Sequence, residues 1–162
     1  VHSVSLKKHS SARWRNKPQR DFCFGDHFSG DDTMEIDFQK SGGLVPAIIQ
    51  DERTGDVLML GFMNPESLVQ TKRTGEVVFF SRSRNKLWKK GESSGHVLRV
   101  REIRVDCDAD ALLVRVEAVG PGVCHEGYWS CFFRKLGPDG SAAIIAERTF
   151  TPEKVYGQEK AR

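Results

Sequence analysis

The run Asp106-Cys107-Asp108-Ala109-Asp110, followed closely by Cys124 and Cys131, places hard carboxylates and soft thiols in one short stretch, and any fold must accommodate both. Thiolates favour zinc, whereas clustered carboxylates with water suit magnesium or manganese, so the stretch predicts two different metals in one site. Three thiolates leave one tetrahedral zinc position free, where a catalytic water binds. If the acidic run is an extended strand, alternation puts Ile103, Val105, Cys107, Ala109 and Ala111 on one face. Glu102, Arg104, Asp106, Asp108 and Asp110 then take the other. The aspartates converge only if that extended form persists. A divalent cation would relieve their mutual repulsion, and Cys107 could not easily share it. The alternative is a solvated acidic turn between two strands. An Asp-x-Asp-x-Asp calcium loop is set aside, because its glycine and distant glutamate are missing.

Cys124-His125-Glu126-Gly127-Tyr128-Trp129-Ser130-Cys131 spaces two thiols seven residues apart after the turn Gly120-Pro121-Gly122. This is not a CxxC knuckle; ligands so spaced must be brought together by tertiary or quaternary structure, and two buried core cysteines are the competing reading. His125 is a candidate general base or metal ligand, since its ordinary pKa lies near neutrality. The loop from Ser81 to Gly95 mixes Arg82, Arg84, Lys86, Lys89 and Lys90 with hydroxyls, glycines and Trp88. Such a mixture suits a phosphorylated nucleotide, with cations and backbone N–H groups on phosphate and Trp88 against a base. The plainer reading is an exposed basic loop, which Trp88 makes costly.

The 162 residues fit one domain, and their 38% hydrophobic content is lean enough to leave part of the chain outside a core. A charge of +3 is too weak to imply nucleic acid. No apolar run approaches the ~20 residues of a membrane span, and no secretory core opens the chain, so a cytoplasmic protein with free thiols is expected. Residues 1–33 lack a sustained period and read as a flexible extension holding an incidental Cys23; Asp21, Asp26, Asp31 and Asp32 argue against an organellar leader. The domain spans 34–146, and 147–162 read as a polar tail. Leu44–Gln50 and Val57–Phe62 form a hairpin about the turn 51–56. Asn64-Pro65-Glu66 starts a helix that Gly75 stops. Strands are expected over Glu76–Ser81, His96–Val105 and onward into the acidic run, Ala111–Ala118, Trp129–Leu136 and Ala142–Ala146. The fold class is α+β: strand-dominated, with a largely antiparallel sheet or barrel-like core and one short helix.

Three blocks, in order, carry a family resemblance: Leu87 to Gly95, Asp106 to Leu113, and Gly120 to Gly127 with Ser130-Cys131-Phe132. Together they resemble phosphoribosyl-AMP cyclohydrolases over about residues 44–136. The resemblance implies the third step of histidine biosynthesis, hydrolytic opening of the adenine ring of N1-(5-phosphoribosyl)-AMP between N1 and C6. It further implies an intertwined homodimer with sites at the subunit interface, holding one zinc and one magnesium per subunit. Cys107 of one chain with Cys124 and Cys131 of the other would bind zinc, and Asp106, Asp108 and Asp110 magnesium. His125 would assist proton transfer, while Arg82, Arg84, Trp88, Lys90, Glu92, Ser93, Ser94 and Gly95 would position the substrate. Glu126 departs from the family's usual threonine and adds a charge beside His125. A zinc nucleobase deaminase would need His-x-Glu and Pro-Cys-x-x-Cys, and neither is present. A non-catalytic zinc module would need four protein ligands and salt-sensitive nucleic-acid binding. The stretch after Ala146 is too short for a fused pyrophosphohydrolase.

Overall fold

The computed structural model describes residues 34–157. The expectations for residues 1–33 and Cys23 lie outside that range. Strand β1 (Val45–Asp51) buries every second residue: Val45, Ala47 and Ile49 are fully buried, and Asp51 nearly so. Asp51 is tolerated because its Oδ2 accepts the Thr54 N–H at 2.8 Å, closing the expected turn into β2 (Val57–Met63). The helix α1 (Pro65–Thr74) is a direct product of its ends. Asn64 Oδ1 accepts the Ser67 N–H and Ser67 Oγ accepts the Asn64 N–H, both at 2.8 Å, a reciprocal capping box. Gly75 ends the helix at φ 69°, its N–H donating to Thr71 O.

Beyond the helix come β3 (Val78–Ser81), β4 (Lys86–Lys89), β5 (Leu98–Val105), β6 (Leu112–Ala118), β7 (Arg134–Leu136), β8 (Ala142–Ile144) and a second helix, α2 (Pro152–Tyr156). The main sheet has the order β2-β1-β6-β5, while β3-β4 and β7-β8 are separate hairpins. The α+β class and the dominance of strands hold. Four features of the described residues differ from the sequence reading. The sheet is mixed, since β1 and β6 run parallel with Ala47 opposite Leu112, although its other two pairings are antiparallel. It is open, with β2 and β5 at its margins, rather than a barrel. There are also two helices, and β4 is a strand inside what reads as a polar loop.

Two strands are shorter than expected for identifiable reasons. The segment from Trp129 does not run on as a strand, because Cys131 N–H donates to Leu58 O at 2.8 Å and Ser130 Oγ to Val57 O at 2.7 Å, drawing the chain along β2. Strand β5 stops at Val105, where Asp106 begins a reversal.

One face of the sheet carries the core, in which Leu98, Val100, Leu112, Val114 and Val116 join the buried residues of β1 and pack with Leu58, Met63, Val77 and Phe79. Thr71, like Ser67, is a polar residue of α1 buried against it. Its buried hydroxyl accepts the Val78 N–H at 2.9 Å and lies 3.2 Å from Val78 O, fastening α1 to β3. A Thr71→Val substitution keeps the shape but strands both backbone groups, so it should lower unfolding stability by about 1–3 kcal/mol. An unchanged urea midpoint at unchanged m-value would contradict this reading of Thr71.

Candidate active site

The acidic run is a turn, not an extended strand. Asp106 Oδ1 accepts the N–H groups of Asp110 and Ala111 at 3.0 and 3.1 Å, Asp106 N–H donates to Ala111 O, and Ala109 adopts φ 61°. A short polar side chain closing a loop on its own backbone is the usual device at such reversals. The consequence reverses the alternation argument. The three aspartates converge because the chain turns, with one ligand oxygen from each lying within 4.8 Å of the others. Cys107 is not turned to the opposite face either, since its exposed Sγ lies 3.8 Å from Asp108 Oδ1. Lys40 Nζ reaches Asp108 Oδ2 at 2.7 Å and Asp110 Oδ2 at 3.4 Å. That contact raises the Lys40 pKa and lowers that of Asp108, each through the hydrogen bond between them first.

A second cluster gathers around Cys124 and Cys131. The 123–129 segment folds back on itself: Val123 and Cys124 N–H donate to Trp129 O and Tyr128 O, and Gly127 N–H donates to Cys124 O. Gly127 sits at φ 92°, and a Cβ there would lie 2.5 Å from Phe150 O, so this tight turn requires glycine. Beneath it Tyr128 and Phe133 stack with ring centroids 3.7 Å apart and pack with the buried Cys124. Cys131 is held from the other side by its backbone bond to Leu58, where its thiol feels the charge of the Cys124 thiol. Though Cys131 is exposed as a residue, its thiol is pushed up to about 12, by desolvation first and the Cys124 thiol second. Lys90 opposes that rise. Its side chain is buried, so desolvation lowers its pKa, while Cys131 and Cys124 act in the opposite sense.

Lys90 thus belongs beside the thiol pair as well as to the basic loop. Sequence spacing does not disclose this, because Lys90 arrives on the β3-β4 hairpin. The rest of that loop is more dispersed. Trp88 packs on Phe79 with ring centroids 5.2 Å apart, which explains an aromatic in a polar loop. Arg82 lies over the Phe62 ring at 3.8 Å, and Arg84 is exposed with its Nε 3.3 Å from Ser81 Oγ. Glu92 and Ser93 are exposed, Ser94 Oγ accepts the His96 N–H, and Gly95 N–H closes on Gly91 O. Sequence reasoning gave His96 no role beyond a strand start. It is buried, with Nδ1 3.0 Å from Gly122 O, tying this loop to the one that bears Cys124. His125 is exposed at the tip of its turn. Glu126 does not stand as a bare charge there: Arg134 Nη2 donates to it at 2.8 Å.

The two clusters do not merge within one chain. Among the described residues the acidic triad is the one group of three or more potential ligands that closes on a point, and no cysteine joins it. Topology explains the separation. Cys107 lies in the β5-β6 connection while Cys131 runs along β2, on the far side of β1. At ~4.8 Å per strand the sheet alone puts at least about 10–15 Å between them. The donor chemistry fits the metals it suggests: converging carboxylate oxygens already draw the Lys40 cation, and paired thiols suit a softer ion.

The family model described as "Phosphoribosyl-AMP cyclohydrolase" matches residues 59–133, the stretch that carries both clusters and the basic loop. A phosphoribosyl-AMP cyclohydrolase of Solibacter usitatus is 59% identical over 124 residues, covering 76% of this chain and 98% of the relative. The chain belongs to the phosphoribosyl-AMP cyclohydrolase family. Similar enzymes of that name come from Desulforapulum autotrophicum, 52% identical over 76% of this chain and 98% of the relative, and Pelotomaculum thermopropionicum, 56% identical over 72% and 89%. The family resemblance carried by the three motif blocks is therefore correct. The chain is thus a hydrolase of histidine biosynthesis.

The raised Cys131 pKa has a checkable sign. Its thiolate forms only as pH climbs toward about 12, so in metal-free protein at pH 8 the thiol should stay protonated. Iodoacetamide labelling of Cys131, followed by peptide mass spectrometry, should run at least about tenfold slower than alkylation of glutathione. Labelling at the glutathione rate would contradict the environment described.

Proposed function

We propose that this chain hydrolyses N1-(5-phosphoribosyl)-AMP, opening the adenine ring at the N1–C6 bond in the third step of histidine biosynthesis, and that it does so as a homodimer. The family membership supports the reaction. The single observation that carries the assembly is the separation of Cys107 from Cys124 and Cys131 across the sheet of one chain. Thiols that cannot meet within a chain can meet between two, which is the usual logic of a site shared across a two-fold axis.

In this reading Cys107 of one chain, with Cys124 and Cys131 of its partner, would hold zinc, and Asp106, Asp108 and Asp110 would hold magnesium. Zinc with three protein ligands keeps an open position and supplies Lewis acidity toward water, while magnesium supplies charge for substrate oxygens. The chain's own groups do the rest. Lys90, buried beside the thiol pair, offsets the negative charge that the thiolates bring when they deprotonate. His125, exposed on a turn clamped by Gly127, can take the proton of the attacking water and return it to N1 as the N1–C6 bond breaks. The water oxygen remains on C6, which becomes a carboxamide carbon. Arg82, Arg84 and the Glu92–Gly95 turn, with Trp88 as a partial wall, would position the phosphoribosyl groups. Arg134, by pairing with Glu126, keeps that acidic side chain from acting on His125 as an unscreened charge. Free thiols at all three positions suit a reducing compartment, consistent with a cytoplasmic enzyme.

Subunit mixing tests the shared site. The Cys107→Ala and Cys131→Ala proteins should each fail to turn over phosphoribosyl-AMP. Unfolded, mixed and refolded together with zinc and magnesium, half of the dimers carry one intact site of two, so about a quarter of wild-type specific activity should return. A mixture no more active than its components would exclude the shared arrangement.

A further inference from the structure

The acidic turn comes with its own cation. Lys40 Nζ donates to Asp108 Oδ2 at 2.7 Å and to the Asp108 carbonyl at 3.1 Å, and lies 3.4 Å from Asp110 Oδ2. An ammonium has three donors, and here three acceptors surround it, all from the acidic turn. The lysine is delivered by design of the backbone rather than by a loose surface contact. Asp37 N–H donates to Ala109 O at 2.7 Å, hooking the 37–43 turn onto the acidic turn. Asp37 Oδ1 accepts the N–H groups of Gln39 and Lys40, and Gly43 N–H closes on Phe38 O at 2.7 Å. The parallel β1-β6 register sets both turns at the same end of the sheet, because Lys40 just precedes β1 and Asp110 just precedes β6.

Lys40 engages the side chains of Asp108 and Asp110, whereas Asp106 commits one oxygen to the turn's own backbone. A divalent ion at the triad needs those same two side chains. Magnesium draws its oxygens in to about 2.0–2.1 Å, so an ammonium cannot keep its place on the oxygens the metal takes. Its positive charge would also repel an incoming cation.

We propose that Lys40 is the resident counter-ion of the acidic turn: it holds Asp108 and Asp110 together before a divalent cation arrives and is displaced when one binds. This rests on the reading that the triad takes a divalent cation. It assigns Lys40 two effects of opposite sign, support of the metal-free fold and competition with the metal. A residue with only a structural role would show the first without the second.

The test uses the full-length, zinc-loaded protein and Mn2+ alone as the probe, read by calorimetric titration and by the electron paramagnetic resonance of free Mn2+. Lys40→Gln should bind Mn2+ with a Kd roughly three- to tenfold lower than wild type, and Lys40→Arg should stay near the wild-type value. Without added Mn2+ the Lys40→Gln protein should melt below wild type, and saturating Mn2+ should narrow or reverse that gap. Unchanged or weaker Mn2+ binding by Lys40→Gln, with wild-type binding intact, overturns the counter-ion role and leaves the metal reading standing. If neither folded, zinc-loaded protein binds Mn2+, the triad is not a divalent-cation site and the proposal falls with it.

Discussion

The parallel pairing of β1 with β6 is the constraint on which the rest of the molecule hangs. Both strands are buried in the middle of the sheet, with Ala47, Ile49, Leu112, Val114 and Val116 almost wholly out of water. Removing any of these from solvent is worth on the order of 1–3 kcal/mol, enough together to fix which ends of the chain lie side by side. Because the strands run the same way, the segments that enter them enter from the same end. That brings the 37–43 turn against the acidic turn, although the two are far apart in sequence. The antiparallel partners β2 and β5 then occupy the margins, and each carries one half of the chemistry: β5 leads into the carboxylates and Cys107, and β2 anchors Cys131.

The same order of strands that builds each half keeps the halves apart. A thiol in the β5-β6 connection and a thiol along β2 have the width of the sheet between them. A single chain therefore gathers the three carboxylates at one point, while its thiols stay divided between the two sides of the sheet. Lys40 and Lys90 fit this division of labour. Each is a cation placed against a cluster of incipient or actual negative charge, one on the acidic turn and one beside the thiols. Such clusters fold without metal only if their charge is offset, by an ammonium in the first case and by thiols staying protonated in the second.

How much of this was legible in the sequence depended on the range of the interaction. The α1 boundaries were readable because Asn64, Pro65, Glu66 and Gly75 act within a few residues of themselves, and each end satisfies its own backbone groups. The β1-β2 hairpin was likewise local, its two strands flanking the turn 51–56. The acidic run misled the strand reading because period-2 alternation cannot tell a strand from a turn that Asp106 closes on its own backbone. The expected Trp129–Leu136 strand was cut back to Arg134–Leu136 for a non-local reason, since Ser130 and Cys131 are taken up by β2 more than 70 residues earlier. The metal-ligand candidates were recognisable as residue types in family-like blocks. Lys40 and His96 were not, because nothing local links Lys40 to Asp108 or His96 to Gly122, and Lys90 was legible only as part of the basic loop.

The central claim is that one zinc takes thiolates from two chains. X-ray absorption at the zinc edge of the loaded protein measures it directly. Wild-type protein should show three sulfur neighbours at about 2.3 Å, and a folded Cys107→Ala protein two, with a nitrogen or oxygen making up the shell. Two sulfurs in wild type, or three retained after Cys107 is removed, would contradict a zinc site completed by Cys107 across the dimer.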